Sequence, residues 1–184
     1  MDKTSFIARY GNIYEHSSWV AEQAYERAAG ITRPSHLAEV MSACVEAADE
    51  QTKLTLIRAH PDLAGRAAIA GELTAASSAE QASAGVDQCT EEEYTRFHAL
   101  NDRYKQKFGF PFVMAVRGKH RNDILAAFEQ RLANDRAEEM ATAIREIHRI
   151  ARLRLEALEP LEASQGVPEG GRPVRLEGRA FRKR

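Results

Sequence analysis

The sequence predicts an all-α fold: a single helical domain with one short extended segment near residues 108–118 and a disordered C-terminal tail. Three observations carry this expectation. Ala, Glu, Gln, Arg and Leu, all good helix formers, dominate the chain. Helix start and stop signals recur along it. Nowhere does an alternating apolar/polar run persist between turn signals, as a half-buried strand would require. With 184 residues, of which 43% are hydrophobic, the chain can build one domain with a sizeable core.

Taken in order, Ser35 precedes Leu37, Val40, Met41, Cys44 and Val45, an apolar stripe at helical spacing. Pro61 disfavours the helical state at His60, so the helix before it should end there. Ser77-x-x-Glu80 matches a capping box. Thr90-x-x-Glu93 is another, ahead of Tyr94, Phe97, Leu100 and Tyr104. Phe108-Gly109-Phe110-Pro111-Phe112-Val113-Met114-Ala115-Val116-Arg117-Gly118 is apolar and punctuated by Gly and Pro, which reads as a buried extended segment between helices. Its N–H and C=O groups lack ladder partners and need others, which a ligand could supply. Asp135-x-x-Glu138 resembles a third box, ahead of Met140, Ile144, Ile147, Ile150 and Leu153, and opens the longest helix, from about Arg136 to Leu158. Gly30, Gly85 and Gly109 stand where helices should stop. After about residue 161 the texture becomes rich in Gly and Pro and then basic. The expected organisation is therefore a helical domain over 1–161 and a flexible tail over 162–184.

Several function classes are disfavoured. A formal net charge of −1 gives no global attraction to nucleic acid or to an anionic membrane. No stretch approaches the roughly 20 apolar residues of a membrane span, and Met1-Asp2-Lys3-Thr4-Ser5 does not read as a secretory signal. Cys44 and Cys89 read as free thiols, and the expected location is cytoplasmic. The six histidines form no H-E-x-x-H or H-x-x-x-H arrangement. No metal site is expected.

Three polar candidates remain. His60 is either a helix-terminal histidine satisfying a local carbonyl or a catalytic group. The Ser77–Gln81 segment is either a simple cap or a helix start offering N–H donors to an anion. Arg152 lies among apolar stripe residues. It is either a snorkelling surface arginine or the partner of a carboxylate or imide-like ligand.

Four segments, in this order, resemble one family: His60-Pro61-Asp62-Leu63-Ala64-Gly65; Ser77-x-x-Glu80-Gln81-x-x-Ala84-Gly85; Phe108-Gly109-Phe110-Pro111-Phe112-Val113; and Glu146-Ile147-x-x-Ile150-Ala151-Arg152-Leu153-Arg154-Leu155. Tyr14-Glu15-His16-Ser17-Ser18-Trp19-Val20-Ala21-Glu22 fits as well. The chain resembles the OHCU decarboxylases (2-oxo-4-hydroxy-4-carboxy-5-ureidoimidazoline decarboxylases) from about Ser5 to Leu161. The resemblance implies an all-helical homodimer that converts a urate-derived acid to (S)-allantoin with no cofactor. It makes His60, assisted by Glu80, the catalytic group. It places the substrate against Pro61, the segment Ser77, Ser78, Ala79, Glu80 and Gln81, the backbone of Phe112, Val113, Met114, Ala115 and Val116, and the cation of Arg152. Some relatives end in a peroxisomal signal; the Arg-Lys-Arg end of this chain does not match one. Two rival readings make different demands. A metal-dependent ureide-ring hydrolase needs His60, Asp62 and a distant ligand to converge. A non-enzymatic helical interaction module leaves His60, Glu80 and Arg152 scattered.

Overall fold

The computed structural model describes residues 1–65 and 71–158. The tail expected after residue 161 lies outside the described residues. Among those residues the chain forms eight α-helices, one 3-10 turn and no strand. They are α1 (Lys3–Tyr10), α2 (Trp19–Tyr25), α3 (Pro34–Glu46), α4 (Glu50–Arg58), α5 (Ala75–Ser83), the 3-10 turn Val86–Gln88, α6 (Glu91–Phe108), α7 (Arg121–Arg131) and α8 (Arg136–Ala157).

Capping explains most of the boundaries. Thr90 and Glu93 form the expected reciprocal box at the start of α6, and Gly109, in the left-handed region at φ 80°, closes its end. Asp135 caps α8 by accepting the Glu138 N–H. Two starts differ from expectation. Helix α3 begins at Pro34, whose ring presets the first helical φ, so Ser35 lies inside the first turn. Helix α5 begins at Ala75 because Thr74 accepts the Ser77 N–H. Ser77 is thus an interior helix residue, and both it and Glu80 are free for tertiary contacts. A box that sequence alone does not flag joins His120 and Asp123 at the start of α7.

Helix α8 is the spine. It packs on α3, α4 and α6, while α2 bridges α1 and α3. Its buried stripe is Glu139, Ala143, Ile144, Ile147, Ile150, Ala151, Arg154 and Leu155, an apolar period with one glutamate and one arginine in it. The other half of the core is aromatic. Tyr104 on α6 meets Phe108, Phe110, Phe112 and Phe128, and the Phe112 and Phe128 rings stack with centroids 3.7 Å apart. Each such pair is worth roughly 0.5–1.5 kcal/mol beyond area burial. These rings hold residues 110–116 in the interior without helix or ladder bonding. No helix among the described residues is long and apolar enough to cross a membrane. Cys44 and Cys89 are free thiols.

Candidate active site

The turn that leaves α4 sets up the site. Pro61 blocks helical continuation, and the chain turns through Ala64 at φ 51°. Gln81 reaches across from α5 to hold this turn: its Oε1 accepts the Ala64 N–H at 3.1 Å, and its amide donates to the Asp62 carbonyl at 3.4 Å. Asn101 donates to the Leu63 carbonyl at 2.9 Å, and Lys105 pairs with the Asp62 carboxylate. Gly65 is required here, because a Cβ would lie 2.6 Å from the Asp62 Cβ.

His60 is only 8% exposed. Its Nδ1 lies 3.0 Å from the Leu56 carbonyl, one helical turn back. A carbonyl only accepts, so Nδ1 carries the proton and, in the neutral ring, Nε2 keeps its lone pair. Burial is the main influence on the ring and pushes its pKa down to about 4, against the Leu56 bond and the Glu15 charge, which pull it up. His60 is therefore neutral at working pH. The bond to the local carbonyl is made, and it occupies only one of the two ring nitrogens.

Opposite lies a buried ion cluster. Arg154, 7% exposed, directs Nε and Nη2 at the two Glu80 oxygens at 2.8 and 3.0 Å. Its Nη1 donates to Glu15 Oε2 at 2.8 Å and to the Ile13 carbonyl at 3.3 Å. Glu15, 2% exposed, also accepts from Thr74 and Ser77 at 2.8 and 3.0 Å. Burial pushes the Glu15 carboxyl up, but the bonds from Thr74 and Arg154 and the Arg154 charge outweigh it and hold the group below the usual range. Burial likewise opposes the Arg154 charge, yet Glu80 and Glu15 raise its pKa further.

These groups line one small cavity with about 30 Å³ of room for water-sized molecules. His60, Pro61, Ser77, Glu80, Gln81, Phe112, Val113, Met114 and Val116 are brought together there, as are Leu63, Ile150 and Arg154. The scatter expected of a non-enzymatic module is not found for His60 and Glu80. Asp62 is engaged by Lys105, and among the described residues no three His, Cys, Asp or Glu side chains are grouped to hold a metal.

Four expected residues lie elsewhere. Ser78 and Ala79 are on the exposed face of α5. Ala115 is buried, but its N–H donates away to Glu146 Oε2 at 2.8 Å. Arg152 is 62% exposed and pairs with Glu156 one turn along the helix. The physical reason is helical phase. At about 100° per residue, Arg154 falls about 40° from Ile150 around the helix, whereas Arg152 falls about 160° away. Arg154 is the arginine that lines the cavity, and the periodicity of α8 contains that signal. Glu15 carries no comparable local signal, because only folding brings it to Thr74, Ser77 and Arg154.

The family model described as OHCU decarboxylase matches residues 1–156. The 2-oxo-4-hydroxy-4-carboxy-5-ureidoimidazoline decarboxylase of Haloferax volcanii is 44% identical over 155 residues, covering 84% of this chain and 89% of that protein. The uric acid degradation bifunctional protein of Bacillus subtilis is 40% identical over 158 residues, covering 84% of this chain but 30% of its own length. Among solved structures, that of (S)-allantoin synthase superposes with a TM-score of 0.68 at 33% identity, over 85% of this chain and 50% of the other. A structure of OHCU decarboxylase in the presence of (S)-allantoin shares the fold, with a TM-score of 0.63 at 22% identity, over 79% of this chain and 93% of the other.

Proposed function

The chain belongs to the OHCU decarboxylase family, and from that premise we propose that it decarboxylates OHCU to allantoin in urate degradation, with no cofactor and with the (S) product. The observation that carries this reading is the convergence of His60, Glu80, Gln81 and Arg154 on one small buried cavity.

Decarboxylation leaves an electron pair that needs a sink. Here the substrate supplies its own, the ring C=N beside the carbon that loses carbon dioxide. The protein's task is positioning, charge stabilisation and one stereospecific proton. Before substrate binds, the site holds two carboxylates and one arginine, with His60 neutral. Glu15 is locked by three partners, whereas Glu80 is 19% exposed and shares only the Arg154 fork. The substrate carboxylate therefore takes the place of Glu80 on Arg154, a fork suited to a planar anion. Glu80 turns to the substrate N–H groups.

The neutral His60 accepts the substrate hydroxyl proton at Nε2, while Leu56 holds the other side of the ring. The C–C bond to the carboxylate breaks, and its electrons form a ring C=C bond as the C=N electrons move to nitrogen. Carbon dioxide leaves. The ring nitrogen takes a proton from solvent, the enolate collapses to the ring carbonyl, and the carbon bearing the ureido group takes from His60 Nε2 the proton that the hydroxyl gave it, on the face nearest His60. Backbone N–H groups of Met114 and Val116 are donors for the ring carbonyl. Gln81 serves by holding the turn that carries Pro61.

The protein acts as a homodimer in the cytoplasm, and residues 1–161 are the catalytic unit; sedimentation of the full chain tests the first point. The activity test generates OHCU freshly by urate oxidation and follows the circular dichroism of allantoin. Spontaneous decay is racemic. A fast one-handed signal is expected, and a racemate at the uncatalysed rate overturns the reading.

A further inference from the structure

Residues 110–116 run through the interior with no turn bond between Gly109 and Val116. An open chain presents the polar groups of successive residues to opposite edges. On one edge two groups are taken. The Val113 carbonyl accepts from Arg131 Nη1 at 2.8 Å, and the Ala115 N–H donates to Glu146 Oε2 at 2.8 Å. Phe112, Val113, Met114 and Val116 line the cavity while Ala115 does not; with the Val113 carbonyl turned to Arg131, the N–H groups on the other edge are those of Phe112, Met114 and Val116. Among the described residues, the Met114 and Val116 N–H groups donate to no protein acceptor.

The two anchors are themselves fixed. Arg131 Nε donates to the fully buried Glu139 at 2.6 Å, its guanidinium lies 4.2 Å from the Phe112 ring centroid, and Asn134 completes Glu139 at 2.9 Å. A buried ion pair of this kind is often no more stabilising than an apolar pair of the same volume, so its use is in fixing geometry. Glu146 heads a row on α8, Glu146–Ile150–Arg154, each one turn from the next, so one ridge carries the anchor, an apolar wall and the site cation.

We infer that Glu146 and Arg131 are positioning residues for the decarboxylation, clamping the Val113 carbonyl and the Ala115 N–H so that the Met114 and Val116 N–H groups are held toward the substrate. This rests on the activity proposed above.

The test compares Glu146→Gln, which keeps an acceptor for Ala115, with Glu146→Ala, which removes it. Freshly made OHCU is the substrate, and thermal midpoints are measured alongside. Expected are turnover within about threefold of the parent for Glu146→Gln and a fall in kcat of about 10- to 100-fold for Glu146→Ala, with KM changing less and the midpoint nearly kept. The amide spectrum of the ¹⁵N-labelled parent, titrated with (S)-allantoin, should show downfield shifts of the Met114 and Val116 N–H signals. An active parent with a fully active Glu146→Ala variant, or with unmoved Met114 and Val116 signals, overturns the clamp and leaves the activity standing. An inactive parent overturns the activity itself.

Discussion

Arg152 and Arg154 are two residues apart on the same helix, and the structure predicts opposite consequences for them. Arg152 makes one exposed bond to Glu156 at 3.0 Å. Such a pair one turn apart is worth about 0.3–0.5 kcal/mol, so Arg152→Ala should shift the urea midpoint barely measurably. Arg154 satisfies two carboxylates, a carbonyl and a hydroxyl inside the protein. Removing one partner of a buried ion pair costs about 3–5 kcal/mol because the other charge is stranded. Here Glu15 would be stranded at 2% exposure. For a chain of this length that corresponds to a thermal midpoint lower by roughly 10 °C. Since it is a large part of a total of about 5–15 kcal/mol, Arg154→Met should be paired with Arg154→Met/Glu15→Gln. The second change removes the stranded charge and should return part of the loss, with a coupling of up to about 3 kcal/mol. Arg154→Lys keeps the charge but not the fork and should lower turnover at least tenfold, while Arg152→Lys turns over like the parent. The assays are urea unfolding by far-UV circular dichroism and allantoin formation. Equal losses at the two positions, or a larger loss at Arg152, would refute the assignment of the site cation.

Other outcomes follow from the same geometry. His60→Asn should keep the fold and lower turnover by about 100- to 10,000-fold; near-normal turnover would remove His60 from the chemistry. Because the folded pKa of His60 is depressed to about 4 from an ordinary 6.5, its stabilising contribution is complete above pH 6.5. It is lost as pH falls toward 4, at about 1.4 kcal/mol per unit. Denaturant unfolding of the parent should show that slope, and His60→Asn should lack it; parallel curves would contradict a neutral buried ring. For the same reason kcat/KM should not decline near pH 6.5 but only near pH 4. Gly65→Ala should lower both the thermal midpoint and turnover, because the new Cβ meets Asp62 at 2.6 Å and displaces the turn carrying Pro61. Unchanged kinetics would show that this turn does not shape the pocket.

Much of this molecule was legible locally. The caps at Thr90 and Asp135, the stop at Gly109, the break at Pro61 and the apolar period of α8 are short-range matters of backbone donors and helical phase, so the chain states them residue by residue. The same holds for the non-helical segment after Phe108, where Gly and Pro remove the helical option. His60, Glu80 and Gln81 sit in motifs with fixed spacing, and all three line the cavity. Local pattern misled where a side chain had two uses. Ser77-x-x-Glu80 reads as a cap, yet Thr74 takes that job and frees both residues for Glu15 and Arg154. Helical phase, which the sequence does contain, puts Arg154 on the buried stripe and Arg152 on the exposed face. What only the tertiary structure decided are the pairings across more than a hundred residues, with Glu15 of the early turn meeting Arg154 of the last helix. Such contacts depend on how helices pack, and no local propensity encodes them. The depressed pKa of His60 belongs to the same class, since burial, its main cause, exists only once α4, α5, α8 and the 110–116 segment close around the ring.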